Sequence, residues 1–136
     1  MSWRPSAAPP APPCTNCGTP PAGGWRSSTC TAPNGTLAIT SSGQGSVADN
    51  EGGGFEIYRA SKAALNQLMR SYAARHHDDG RTLLLMAPGW VKTELGGSHA
   101  RFTIGESIPH LVTTVDAQHG RTGLRYLDRH GRTVAW

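Results

Sequence analysis

The sequence predicts an α/β fold: a parallel sheet of about three strands with two helices. Three observations predict it. Thr82-Leu83-Leu84-Leu85-Met86 is a continuous apolar run of strand length, the pattern of a strand covered on both faces of a parallel sheet. Upstream, Ala64, Leu65, Leu68, Met69 and Tyr72 recur at three- and four-residue intervals and make one apolar helical stripe. Earlier still, the turn signal Asn34-Gly35 opens Thr36-Leu37-Ala38-Ile39-Thr40, a short β-prone run. Strand, helix, strand in so short a stretch is a βαβ unit, with the helix as a right-handed crossover.

Taken in order, residues 1–33 stand apart. They hold eight of the ten prolines and all three cysteines, and their only charged side chains are Arg4 and Arg26. A segment so poor in large aliphatic residues buries too little surface to offset the entropy of ordering it, which predicts a disordered or extended arm. The domain boundary falls near Pro33, with residues 34–136 as the globular part. After the first strand, Ser41-Ser42-Gly43 opens a polar, glycine-rich connection. A helix is expected over residues 55–75, with Gly80 as its stop. Pro88-Gly89 breaks the second strand, and a mobile stretch around Gly96-Gly97 follows. A weaker helix over residues 103–115 opens on Thr103-x-x-Glu106, a capping-box pattern. Pro109 lies deep for a first turn and predicts a bend or a later start. A last strand is expected over residues 123–127.

At 136 residues the chain is long enough for one core. The net charge of +4 is modest. Arg121, Arg125, Arg129 and Arg132 are interrupted by Asp128 and glycines, which reads as solvated surface rather than a nucleic-acid stripe. No apolar run is long enough to cross a bilayer, and the proline-rich start has no leucine-rich secretory core, so the expectation is a soluble, cytoplasmic protein. Cys14 and Cys17 form a C-x-x-C with Cys30 beyond, but lack a fourth zinc ligand and sit among prolines, so they read as incidental thiols.

Tyr58 and Lys62 are four residues apart at a helix start and project from one face. A phenol ionises near pH 10 in water, and a cation held beside one favours its phenolate. Ser42, closing the preceding strand, emerges on the same carboxyl edge of the sheet, where open α/β folds bind ligands. A hydroxyl donor, a tuned phenol and a lysine suit proton transfer to or from an alcohol or carbonyl oxygen. A lone Y-x-x-x-K is weak, since many helices carry a packed tyrosine and a solvated lysine at that spacing. The constellation carries the case.

Those residues stand in three blocks: Gly35-Thr36-Leu37-Ala38-Ile39-Thr40-Ser41-Ser42, then Tyr58-Arg59-Ala60-Ser61-Lys62-Ala63-Ala64-Leu65-Asn66, then Met86-Ala87-Pro88-Gly89-Trp90-Val91-Lys92-Thr93. In this order they resemble the short-chain dehydrogenase/reductase family. Gly45-Ser46-Val47-Ala48-Asp49-Asn50, Gly52-Gly53-Gly54 and the closing Gly123-Leu124-Arg125-Tyr126-Leu127-Asp128 resemble its C-factor and sniffer branch of carbonyl reductases. The resemblance implies the C-terminal part of a Rossmann-like doubly wound parallel sheet and an oxidoreductase interconverting carbonyl and secondary alcohol with NAD or NADP. It implies Tyr58 as the proton donor in reduction, Lys62 as its partner and a ligand of the nicotinamide ribose, and Ser42 as the group polarising the substrate oxygen. Ser41, one residue further from the glycine-rich turn, is the lesser candidate.

The same resemblance has Pro88 and Gly89 turning the chain beneath the nicotinamide, with Val91 and Thr93 on its carboxamide. It makes residues 96–107 the substrate-covering region and the 55–75 helix a possible homo-oligomer interface. Glu106 and Ser107 read as structural, explained by a capped helix. The family's T-G-x-x-x-G-x-G turn, which cradles the pyrophosphate at a helix N-terminus, has no match in the chain. The expectation is therefore the catalytic half alone: weak cofactor binding, an exposed sheet edge and a tendency to aggregate. A truncated or frame-disrupted fragment, an interaction module, or one half of a complemented enzyme are the alternatives.

Overall fold

Residues 35–78 and 80–136 are described by a computed structural model. Its elements alternate: β1 (Thr36–Thr40), α1 (Glu56–Arg75), β2 (Thr82–Ala87), α2 (Ile104–Ala117) and β3 (Gly123–Asp128). The strands lie side by side in the order β1-β2-β3, all parallel. This is the Rossmann-like α/β arrangement expected, with each boundary within two residues of its expected place. The proline-rich arm and the C-x-x-C lie outside the described residues.

β2 is the centre of the fold, and every one of its six residues is buried. Side chains alternate across a strand, so its two faces build two cores. Leu83, Leu85 and Ala87 join Met69 of α1 and Tyr126 of β3 on one face, with Leu37, Ile39, Tyr72 and Ala73 packed against them. Leu84 and Met86 join Leu127 on the other, under Leu111 and Val115 of α2. Each fully buried leucine contributes about 1.5–3 kcal/mol. The continuous apolar run is thus explained by two helices on opposite faces. With the strands in consecutive order, opposite faces also give the two crossovers opposite hands. One of them departs from the right-handed rule that holds in about 98% of cases.

Two local expectations differ from the structure. In α1, Ala64 is exposed and Leu68 is 67% exposed, while Asn66 and Met69 are buried. The centre of the sheet-facing side is a polar residue, Asn66, so the apolar count placed the buried stripe off its true axis. The second departure concerns Pro109, which lies inside a continuous α2 rather than delaying its start. Thr103 and Glu106 form a full capping box, and Ser107 and Thr114 donate to Pro88 O and Arg129 O. These bonds fix the helix on both sides of the position where proline removes an N–H.

The Gly96-Gly97 stretch carries specific hydrogen bonds. Trp90 Nε1 donates to Gly96 O, Gly96 N to Thr93 Oγ1, and Phe102 N to Trp90 O. A Cβ on Gly96 would lie 2.0 Å from Val91 O, so only glycine closes this loop.

The chain beyond β3 returns across the α1 face. Ala48 N donates to Trp136 O, and the Trp136 ring packs on Tyr126 and under Arg70. That tail braces the loop following Ser42.

Candidate active site

The carboxyl ends of β1 and β2 lie together, because Thr40 pairs with Met86 and Ser41 N donates to Met86 O. Ser42 and Pro88-Gly89 therefore emerge on one edge. Ser42 is half-buried and caps a single 3-10 turn, Gly43–Gly45, its Oγ accepting from Gln44 N at 3.2 Å. Its carbonyl accepts a bond from the Tyr126 hydroxyl. Ser41 is buried instead, and its Oγ donates to Asn66 Oδ1 at 2.6 Å. The two adjacent serines thus divide: Ser41 anchors the strand end and Ser42 faces the edge.

Tyr58 and Lys62 occupy the first turns of α1. Tyr58 is 37% exposed and Lys62 half-buried. The ammonium lies 5.8 Å from the Tyr58 ring centroid and 3.5 Å from Thr40 O, the long limit of a hydrogen bond. This contact ties the lysine to the end of β1, next to the serines. The helix enters on Phe55 in the left-handed region, φ 53°, following Gly53 and Gly54 at positive φ. A non-glycine residue there costs about 1–2 kcal/mol. Arg59 Nε donating to Gly54 O helps hold this entry.

Gly45 sets how closely the Ser42 turn approaches α1. A Cβ there would stand 2.9 Å from Lys62 Cβ and 3.0 Å from Asn66 Nδ2. Asn66 Nδ2 donates to Gly45 O, so a single buried amide joins Ser41, the glycine turn and α1. Burial pushes the Tyr126 phenol up from its ordinary value, with hydrogen bonding to Asn66 and Ser41 opposing it in part. Tyr126 is therefore a neutral donor to this network.

Pro88 O accepts from the buried Ser107 at 2.7 Å, and Gly89 turns at φ +88°. Val91 bridges to Phe102, while the Thr93 hydroxyl is engaged in its own turn with Gly96 N and Val91 O. The structure thus gathers Ser42, Tyr58, Lys62, Pro88 and Gly89 at one edge and places Val91 and Thr93 on the loop beyond. Asn66, Tyr126 and Ser107 were missed as positioning groups, and Ser107 does more than continue a capped helix. The one signal available for Asn66 was a polar residue one turn after Lys62 on the same face.

No groups of three or more metal-ligating side chains occur among the described residues, and none of the described helices is long and apolar enough to cross a membrane.

A family model described as short chain dehydrogenase matches residues 28–102. A short-chain dehydrogenase/reductase from Burkholderia multivorans, solved with bound NADP, is 58% identical with a TM-score of 0.76; the match covers 77% of this chain and 46% of that one. The carbonyl reductase Sniffer of D. melanogaster is 31% identical with a TM-score of 0.64, covering 74% and 41%. Among curated proteins, the C-signal of Myxococcus xanthus is 35% identical over 100 residues, covering 74% of this chain and 60% of that protein. A 1-hydroxy-2-glutathionyl-2-methyl-3-butene dehydrogenase from Rhodococcus is 34% identical over 107 residues, covering 74% and 46%. The chain spans about half the length of these curated relatives.

Proposed function

Because this chain belongs to the short-chain dehydrogenase family, we propose that it carries the proton-handling half of an NAD(P)-dependent oxidoreductase acting on a small carbonyl compound or secondary alcohol. The observation that carries the reading is Lys62 beside Tyr58 on α1, tied to Thr40 at the strand end that presents Ser42. In this role Ser42 Oγ donates a hydrogen bond to the substrate oxygen. Tyr58 gives that oxygen its hydroxyl proton during reduction, and takes it back during oxidation. The Lys62 ammonium stabilises the charge left on the phenol oxygen.

A nicotinamide, when bound, supplies or accepts the hydride. The donor set fits its ribose end: Tyr58 and Lys62 offer a hydroxyl and an ammonium on one face, and Gly89 at φ +88° leaves the end of β2 without a side chain. Val91 and Thr93 belong to the same surface in this reading. The described residues include no T-G-x-x-x-G-x-G turn of the kind that cradles a pyrophosphate.

A second reading is favoured by the sheet itself. β1 forms one edge, and among the described residues no strand pairs with its outer side. We propose that further strands complete the sheet there, and that residues 34–136 alone bind NAD or NADP weakly.

The test is reconstitution. The chain is co-expressed with the N-terminal half of the Burkholderia multivorans relative, and NADPH oxidation is followed with an aromatic ketone. Carbonyl-dependent turnover is expected, falling by about 100-fold or more in Tyr58→Phe. A folded, cofactor-binding complex in which Tyr58→Phe turns over as fast as the parent would refute the assignment.

A further inference from the structure

We propose that the chain has a second ligand site, a cleft on the β3 side of the Gly89 turn that binds the carboxylate or phosphate group of a small molecule. The cleft encloses about 460 Å³ and is lined by Ala87, Gly89, Arg101, Phe102, Asp128, Arg129, His130 and Arg132. Lying at the carboxyl ends of β2 and β3, it shares the ligand-binding edge of the sheet and Gly89 with the Tyr58 site, but its charged side chains are a different set.

Its charge is not balanced from within. Asp128 accepts bonds from Arg132 N, Nε and Nη2 and from His130 N, so its carboxylate is committed to Arg132 and the turn. That leaves Arg101 and Arg129. Both guanidinium groups lie over one aromatic ring, that of Phe102, at 5.3 and 3.5 Å from its centroid. Neither forms an ion pair among the described residues. Glu106 feels the Arg129 charge, yet its carboxylate is held by Thr103 N and Oγ1.

The geometry also aims the donors. Arg129 Nε donates to His130 Nε2 at 3.0 Å, and the His130 ring packs on His110 at 4.8 Å, which fixes the guanidinium plane. Gly89 has no side chain where a Cβ would stand 3.2 Å from Arg129 Nη1 and 3.3 Å from the Phe102 ring, so the stack closes under the turn. Two cations beside one ring repel each other, and a bound oxyanion offsets that repulsion. A planar guanidinium fork matches carboxylate and phosphate oxygens in pairs. In sequence, the arginines near the C-terminal end read as an interrupted, solvated run. Arg121 and Arg125 stay outside the cleft, with Arg125 Nη1 bonded to Arg121 O.

The inference does not rest on hydride transfer, because binding is read directly. Inorganic phosphate and acetate are titrated separately into the chain at constant ionic strength, with the arginine side-chain NMR signals as readout. A saturable shift confined to Arg101, Arg129 and Arg132 is expected for at least one anion. The tighter of the two identifies the group as phosphoryl or carboxyl.

Arg101→Gln, an exposed position, should weaken binding by about tenfold or more, whereas Arg121→Gln should leave it unchanged. Arg129→Lys, which keeps the charge and loses the fork, should also weaken it. Shifts that never saturate and spread over all arginines, or equal affinity in wild type and Arg101→Gln, overturn the proposal.

Discussion

Replacing Asn66 by alanine should destabilise the domain more than any other polar change on α1. Asn66 is 3% exposed and so is Ser41. Its Oδ1 accepts from Ser41 Oγ at 2.6 Å and its Nδ2 donates to Gly45 O at 3.2 Å. The substitution takes the acceptor from a buried hydroxyl and the donor from a buried carbonyl, each costing about 1–2 kcal/mol. The expected loss is about 2–4 kcal/mol, or roughly 10–25 °C in the midpoint of a domain of about 100 residues.

The same geometry predicts a change of sign. Ser41→Ala in the wild-type chain leaves Asn66 Oδ1 without its partner and should cost about 1–2 kcal/mol. In the Asn66→Ala background it removes an orphaned hydroxyl and should stabilise. Urea unfolding followed by far-UV circular dichroism on the four chains measures all these terms. If Asn66→Ala stays within about 0.5 kcal/mol of wild type, or Ser41→Ala costs the same in both backgrounds, the coupling argued here does not exist.

Three further outcomes follow from other contacts. Gly89→Ala must hold an alanine at φ +88° with its Cβ 3.2 Å from Arg129 Nη1; it should cost about 1–2 kcal/mol from backbone alone, and an unchanged urea midpoint contradicts this. Tyr126 has its proton affinity raised by burial, so the stability it contributes is fully present below the unfolded tyrosine value near 10 and is lost as pH rises through the folded value. The alkaline fall in stability should therefore be shallower in Tyr126→Phe; identical slopes exclude the effect.

Asp128 behaves oppositely. Burial raises its carboxyl, but hydrogen bonds from the Arg132 backbone and side chain and from His130 N outweigh this and lower it. Its contribution is present above the unfolded aspartate value near 3.9 and lost as pH falls through the folded value. Asp128→Asn should lose part of the acid limb, read from the same pH series.

The strands and helices were legible because their signals are local. Leu83, Leu84 and Leu85 can be continuous only if both faces of β2 are covered, and Thr103 and Glu106 sit at the spacing a capping box needs. Tyr58, Lys62 and Ser42 were legible as a constellation, since each stands at a helix start or strand end. The supporting residues were not. Asn66 is a polar residue at the centre of a buried face, Tyr126 bonds a carbonyl 84 positions away, and Ser107 reaches back 19 residues to Pro88. Such bonds exist only once the sheet has formed, and no periodicity encodes them. The basic cleft was hidden for the same reason: Arg101 and Arg129 meet over Phe102 through folding, not through spacing.

A division of labour follows from where these residues sit. The groups proposed to handle substrate are at least partly open, and Ser42, Lys62 and Gly89 each stand beside a point that a buried polar group fixes. Ser42 is held through its own carbonyl by Tyr126 and through Ser41 by Asn66. Lys62 stands one turn before Asn66, against a glycine whose Cβ would collide with it. Gly89 follows Pro88, whose carbonyl is fixed by Ser107. A buried hydrogen bond that occupies the reacting donor or acceptor of a side chain competes with substrate for it. Position must then come from the backbone, and buried polar groups in otherwise apolar cores can fix a backbone at that point. Mutations at Asn66, Tyr126 or Ser107 should therefore disturb stability and site geometry together, whereas Tyr58→Phe should spare stability and remove the proton.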